Sequence, residues 1–256
     1  MKRRHSRAFW WLTGLYFFAF TLLCVGFKPF FDWIASMGAQ LTGIWQDLLP
    51  IFHFEDIWQN MAYLIKLMKI SLAFVVIISI TNDFNYKTLR QEIVDGWSRQ
   101  DFVASKLLLV AVLTLLASLW MLILGLILGA MYSPVQEAEA VFRNMHFVAV
   151  FGLDLMAYLC LSLFLGTLLK RPGLTIAILF TYSVILEPIS AFFIGDPINR
   201  FLPINAISNL IHSPFKKYVF LEVQDYVLWS DVAIVIGYVL LFIGGTYALL
   251  RYRDLK

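Results

Sequence analysis

Six apolar runs, at residues 8–27, 57–80, 107–132, 147–169, 174–194 and 232–250, alternate with polar intervals along this chain. About 20 helical residues cross the roughly 30 Å hydrocarbon core of a bilayer. Each run therefore predicts a membrane-spanning helix, and residues 1–256 read as one all-α integral membrane domain of six transmembrane helices. Lys2, Arg3, Arg4 and Arg7 precede the first run. A basic start before an apolar stretch also describes a signal peptide. This run is long and aromatic, and no small-x-small cleavage site follows it directly, so a retained first span is expected.

The intervals differ in kind. Residues 28–56 predict a mixed loop whose Trp33 and Trp45 suit a membrane–water boundary. The third run carries Gly125 and Gly129, a spacing that lets helices approach closely. Packing within the chain is the expected use of that pair. Residues 170–173 make a minimal turn. The fifth run meets Glu187 and Pro188, and Pro188 has no amide to donate, so the helix there must kink or break. Within the loop 195–231, residues 204–211 (INAISNLI) predict a short half-buried helix.

Residues 81–106, TNDFNYKTLRQEIVDGWSRQDFVASK, form the most polar long stretch, with four charges of each sign. Leu89, Ile93, Val94 and Trp97 fall at helical spacing on one side, with Arg90, Gln91, Glu92 and Asp95 over much of the rest. A short amphipathic helix is predicted over 84–95. Gly96 sits where it would end, and Ser98 with Asp101 three residues on makes a capping-box start for a new helix from Arg99. Such a helix can receive a push from a partner or lie in the lipid headgroups; pattern alone leaves both open.

Composition supports the membrane reading. Hydrophobic residues are 61% of the chain, charged residues 14%, and mean hydropathy is +0.78. A soluble domain carries about 25% charged residues. Net charge is only +3, with no long basic run to favour nucleic acid. Cys24 and Cys160 fall inside apolar runs and read as packing residues, and the four histidines are scattered. Six spans place both termini on one side. If that side is the cytoplasm, it holds thirteen of the twenty Lys and Arg, which the positive-inside bias favours.

Four ionisable residues interrupt the runs: Lys66, Lys69, Asp154 and Glu187. By helical rise, Lys66 lies about 13 Å below the outer face, Asp154 about 10 Å, and Glu187 about 10 Å. An unpaired charge at such depth costs at least about 3 kcal/mol. They are expected to line a polar cavity or hold a gate, or else to form a structural ion pair or snorkel to the headgroups. The ion-pair expectation joins Lys66 with Glu187, so that neutralising both together disturbs less than the singles added. The chain has no GxxxxGK[ST] phosphate loop, no GxSxG elbow and no HExxH helix. It is not expected to be an enzyme.

The central stretch resembles the membrane subunits of type-2 ABC transporters. In that family an acidic residue ends the second span. A Thr-Leu/Ile-Arg step, an Asp-Gly-x-Ser-Arg turn and a lysine entering the third span follow it. Here these are Asp83, Thr88-Leu89-Arg90, Asp95-Gly96-Trp97-Ser98-Arg99 and Lys106. Asp83 stands where the family often has Glu, and Lys87 where it often has Gly. Leu186-Glu187-Pro188, residues 202–210 and residues 251–255 are also similar, and the likeness spans the six-run layout of bacterial members. The resemblance implies a multi-pass exporter subunit of the bacterial inner membrane with both termini cytoplasmic. It implies pairing with a second membrane subunit and docking on a separate ABC ATP-binding subunit, which holds ATP and Mg, while this chain binds no cofactor. Residues 84–95 would be the cytoplasmic coupling helix between spans two and three. Asp83, Thr88, Arg90, Gln91, Ile93, Val94, Asp95, Gly96, Ser98, Arg99 and Lys106 would serve coupling, and Lys66, Lys69, Asp154, Glu187 and Pro188 the polar interior or gate. The competing class is an ATP-independent carrier or scaffold using Asp154 and Glu187. Internal repeats, usual in such carriers, are not seen.

Overall fold

The computed structural model of the chain describes residues 6–37, 52–86, 91, 94, 96, 98–134, 137–193, 196–214 and 226–252. Among them all regular structure is helical, with no strand. In chain order the helices are α1 Ser6–Met37, α2 Ile57–Lys66, α3 Lys69–Asn85, α4 Arg99–Tyr132, α5 Ala138–Phe142, α6 His146–Leu169 and α7 Pro172–Thr181. A π-turn, Tyr182–Leu186, then leads to α8 Glu187–Phe193, α9 Asp196–Asn199, α10 Pro203–Ser208 and α11 Trp229–Tyr252.

Among the described residues four helical stretches are long and apolar enough to cross a membrane: Phe9–Phe30, Arg99–Tyr132, Ala138–Leu169 and Trp229–Tyr252. The pair α2 and α3, bent by 48° at Leu67–Met68, makes a fifth if it is one broken span. The fifth apolar run of the sequence is divided among α7, the π-turn and α8.

α6 is the centre, packed against α2, α3, α4, α7 and α11. Its buried residues, among them Phe151, Leu155, Tyr158, Leu159, Ser162 and Leu163, surround the helix, which is why its sequence is apolar all round. α1 docks by a stripe of Tyr16, Phe20 and Cys24, and the Trp120 indole of α4 donates to Thr21 Oγ1 at 3.1 Å. Cys24 and Cys160 are buried and free, as packing residues. On the outside, Leu108, Leu115, Leu119 and Met131 of α4 are exposed, as are Trp11, Leu15 and Phe18 of α1. Faces so apolar are unusual against water and ordinary against lipid.

Three boundaries differ from the sequence reading. α1 runs through Lys28 and Pro29 to Met37, where a loop from residue 28 is expected. A proline kinks a helix without ending it when the neighbouring turns hold, and the Lys28 ammonium finds a seat 4.2 Å over the Tyr132 ring. The expected single span 57–80 is two helices. No Pro or Gly breaks it. At the break the ladder tightens to three-residue bonds, Met68 N–H to Ile65 O at 2.8 Å and Ser71 N–H to Met68 O at 3.0 Å. Ser71 Oγ satisfies the same Met68 carbonyl. The polar interval after α4 also contains a helix, α5, whose Val141 carbonyl accepts from Trp58 Nε1 at 2.8 Å.

Other expectations hold. Gly125 and Gly129 receive aromatic rings from the same chain: a Cβ on Gly125 would stand 2.6 Å from the Trp58 ring, and one on Gly129 would collide with Phe54. The predicted kink before Pro188 is the π-turn, in which the Glu187 amide reaches back to the Tyr182 carbonyl. Pro188 has no amide to offer the Val184 carbonyl, so the regular ladder is lost there whatever the turn. Within 204–211, α10 buries Ile204, Asn205, Ala206 and Ile207, followed by buried Leu210 and Ile211.

Candidate functional site

The described residues that the sequence singles out gather in two polar clusters, one inside the helical bundle and one at its Arg99 end. The interior cluster forms where the broken α2–α3 pair faces α6. Lys66 ends α2 and Lys69 starts α3, so the bend sends their side chains to different partners. Lys69 Nζ donates to both Asp154 oxygens, at 3.0 and 3.3 Å, with Asp154 fully buried. It also lies 4.9 Å over the Tyr158 ring, one helical turn beyond Asp154. The Tyr158 hydroxyl is 2.9 Å from Ser183 Oγ in the π-turn. One surface of α6 thereby touches both interrupted helical stretches.

Lys66 takes a different seat from the one expected. Instead of pairing with Glu187, its Nζ donates to the Ile211 carbonyl at 3.0 Å and the Ser208 carbonyl at 3.4 Å, and sits 4.4 Å over the Tyr63 ring. It adds a second donor to the Ser208 carbonyl, which ends α10 and also accepts from the Ile211 amide at 3.4 Å. Glu187 engages the Ser208 side chain and lies within electrostatic reach of Lys69 and Lys66. The physical reason for the changed pairing is the bend, which places Lys69, not Lys66, against α6. Two cations and two carboxylates balance, so the cluster carries no net charge into the apolar interior. Backbone carbonyls carry no sequence signal, so the Lys66 partners could not be read in advance. Tyr158, four residues after Asp154 on the same face, could have been.

At the Arg99 end, the described part of the sequence motif, Gly96 with Ser98 to Asp101, folds as its spacing predicts. Gly96 has φ +95°, the left-handed region in which glycine carries no side-chain clash. The capping box is complete: Ser98 Oγ accepts from the Asp101 amide at 3.1 Å, and the Asp101 carboxylate accepts from the Ser98 amide at 3.0 Å. Asp83 near the end of α3 forms an ion pair with Lys106 of α4, and Lys106 also donates to Ser79 Oγ at 3.1 Å. Arg99 Nη1 donates to the carbonyls of Leu250 and Arg251, at 2.6 and 2.7 Å, capping the end of α11. Gln100 donates to the Tyr247 hydroxyl at 3.0 Å. Lys170, the left-handed cap of α6, lies 5.2 Å over the Phe84 ring of α3.

Gln91 and Val94 are helical and exposed, Val94 by 80%. α3 continues to Asn85, so residue 84, the expected start of the amphipathic helix, belongs to the long helix before it. Thr88, Arg90, Ile93 and Asp95, with most of the helix expected over 84–95, lie outside the described residues. Pro188 belongs to the backbone of α8.

Among the described residues no three His, Cys, Asp or Glu converge as metal ligands. The geometry offers a buried ion pair with its hydrogen bonds inside the bundle and helix-to-helix hydrogen bonds at its end. No protein-family model, curated protein or solved structure matches the chain.

Proposed function

We propose that the chain is the membrane subunit of an ATP-driven exporter of the type-2 ABC kind in a bacterial inner membrane. Its six spans are α1, the broken pair α2–α3, α4, α6, the interrupted α7–α8, and α11. Both termini and residues 81–106 face the cytoplasm. A separate ATP-binding subunit, holding ATP and Mg, docks on the segment around Gln91 and Val94, and a second membrane subunit completes the translocation path. Nucleotide chemistry is on the partner, in keeping with a chain that carries no phosphate loop.

The observation that carries this reading is the bend at Gly96–Ser98. An exposed segment bearing Gln91 and Val94 runs into a capped helix start whose neighbours are anchored on α3 and α11. A helix lying passively in headgroups has no need of such anchors; one that receives force does. The interior cluster supports the reading in a second way, because its polar contacts join the two interrupted spans, where a bundle can change shape with least loss of helix ladder.

The test is to tag the C-terminus, extract the chain gently from its native membrane and identify what co-purifies. A stoichiometric protein with a GxxxxGK[ST] loop is the expected result. Val94→Asp should then leave the chain in the membrane while separating ATP hydrolysis from transport. A preparation free of any ATPase, from membranes in which the complex survives, returns residues 84–95 to an interfacial role. Transport without an ATPase would favour the carrier reading.

A further inference from the structure

We infer that the Arg99 end of the bundle is one rigid block, and that Arg99 is the positioning residue that carries displacement of the preceding segment into the last helix, α11. The direction of force rests on the function proposed above; the rigidity of the block does not.

Three joints define the block. Asp83 and Lys106 tie α3 to α4. The Lys170 ammonium over Phe84 ties α6 to α3. Arg99, with Gln100 beside it, ties α4 to α11. The third joint joins residues 151 and 152 apart in sequence. It is also the best suited to transmit movement. The last carbonyls of a helix have no intrahelical partner and carry the negative end of its dipole. A guanidinium holding two of them makes charge-assisted bonds from a planar group that cannot lose its proton. Arg99 itself is the first residue of α4, directly after the Ser98 cap and three residues after the left-handed Gly96. Of the two long helices that flank Val94 in sequence, α4 begins at Arg99, five residues on, and α3 ends at Asn85, nine residues back.

The compliant points lie elsewhere. The α2–α3 break at Leu67–Met68 and the π-turn Tyr182–Leu186 are two places where long apolar stretches have already lost the regular ladder. Bending there costs less than bending α4 or α11. Movement of the block therefore flexes the bundle at the two points that the Lys69–Asp154–Tyr158–Ser183 contacts join. The plainer alternative is that Arg99 is an ordinary helix cap, worth local stability and nothing more.

The test uses the full chain in lipid nanodiscs, with spin labels on Val94→Cys and Tyr252→Cys, both highly exposed; Cys24 and Cys160 are buried. A single narrow distance is expected in the otherwise native chain. Arg99→Ala should lose that peak to a broad distribution, and Arg99→Lys, which keeps the charge but not the planar fork, should recover part of it. Arg99→Gln is the second variant should the alanine form fail to reach the membrane, with the same loss expected. A broad distribution in the native background, or a peak unchanged in the variants, overturns the inference. If an ATPase co-purifies, Arg99→Ala should keep ATP hydrolysis while losing transport; a merely structural role would lower both by the same factor. The distances need no ATPase. A narrow peak that Arg99→Ala abolishes, with no ATPase partner, keeps the block and removes the transporter reading, and an unchanged peak with an ATPase present does the reverse.

Discussion

Removing one member of the Lys69–Asp154 pair should cost far more than removing both. The two groups meet at 3.0 Å, with the Asp154 side chain at 0% exposure and that of Lys69 at 10%. At an effective dielectric of about 20, charges at that separation attract by roughly 5.5 kcal/mol. Taking each ion out of water costs several kcal/mol, so the pair as a whole contributes little net stability. The single variants are different. Asp154→Leu leaves the Lys69 ammonium buried with its main partner gone, and Lys69→Met leaves a fully buried carboxylate, each costing about 3–5 kcal/mol. The double variant Lys69→Met with Asp154→Leu should cost less than either single change, giving a coupling energy of about 3 kcal/mol or more. Reversible unfolding in mixed lipid–detergent micelles, followed by helical circular dichroism for all four corners of the cycle, measures it. Singles that sum to the double within about 0.5 kcal/mol would refute the pairing.

Two further outcomes follow from particular contacts. Ser98→Ala removes the acceptor for the Asp101 amide and should speed hydrogen exchange in the first turn of α4 by roughly fivefold, with α6 unaffected. Exchange that is unchanged there would mean the cap contributes nothing. Gly125→Leu places carbon where the Trp58 ring already lies, 2.6 Å from the glycine's would-be Cβ, and should destabilise by about 1–3 kcal/mol. The paired change Gly125→Leu with Trp58→Ala should recover part of that loss in the same unfolding assay; no recovery would place the strain elsewhere.

The local grammar of the chain was legible before any coordinates. Helices follow the apolar runs because a backbone in hydrocarbon must satisfy its own hydrogen bonds. Gly96, Ser98 and Asp101 specify a stop and a start through interactions spanning only a few residues, and the bend appears as their spacing predicts. The same holds for the irregular turn before Pro188 and the buried helix after Leu202. In each case the determining contact lies within a helical turn.

What only the tertiary structure decided concerns partners far apart in sequence. Four charges inside apolar runs stand out in the sequence as needing partners, but which cation meets which carboxylate does not. The 48° bend at Leu67–Met68 decides that, turning Lys69 to Asp154 and Lys66 to carbonyls of the segment after α10. The bend has no proline or glycine to announce it, because its cause is the position of those distant partners. Arg99 looked like one member of a local motif, and its use as the cap of α11 depends on where the last helix ends. Local patterns are set by neighbours a few residues away and can be read from order alone. Long-range pairing depends on the packing angles of whole helices, which no single stretch encodes.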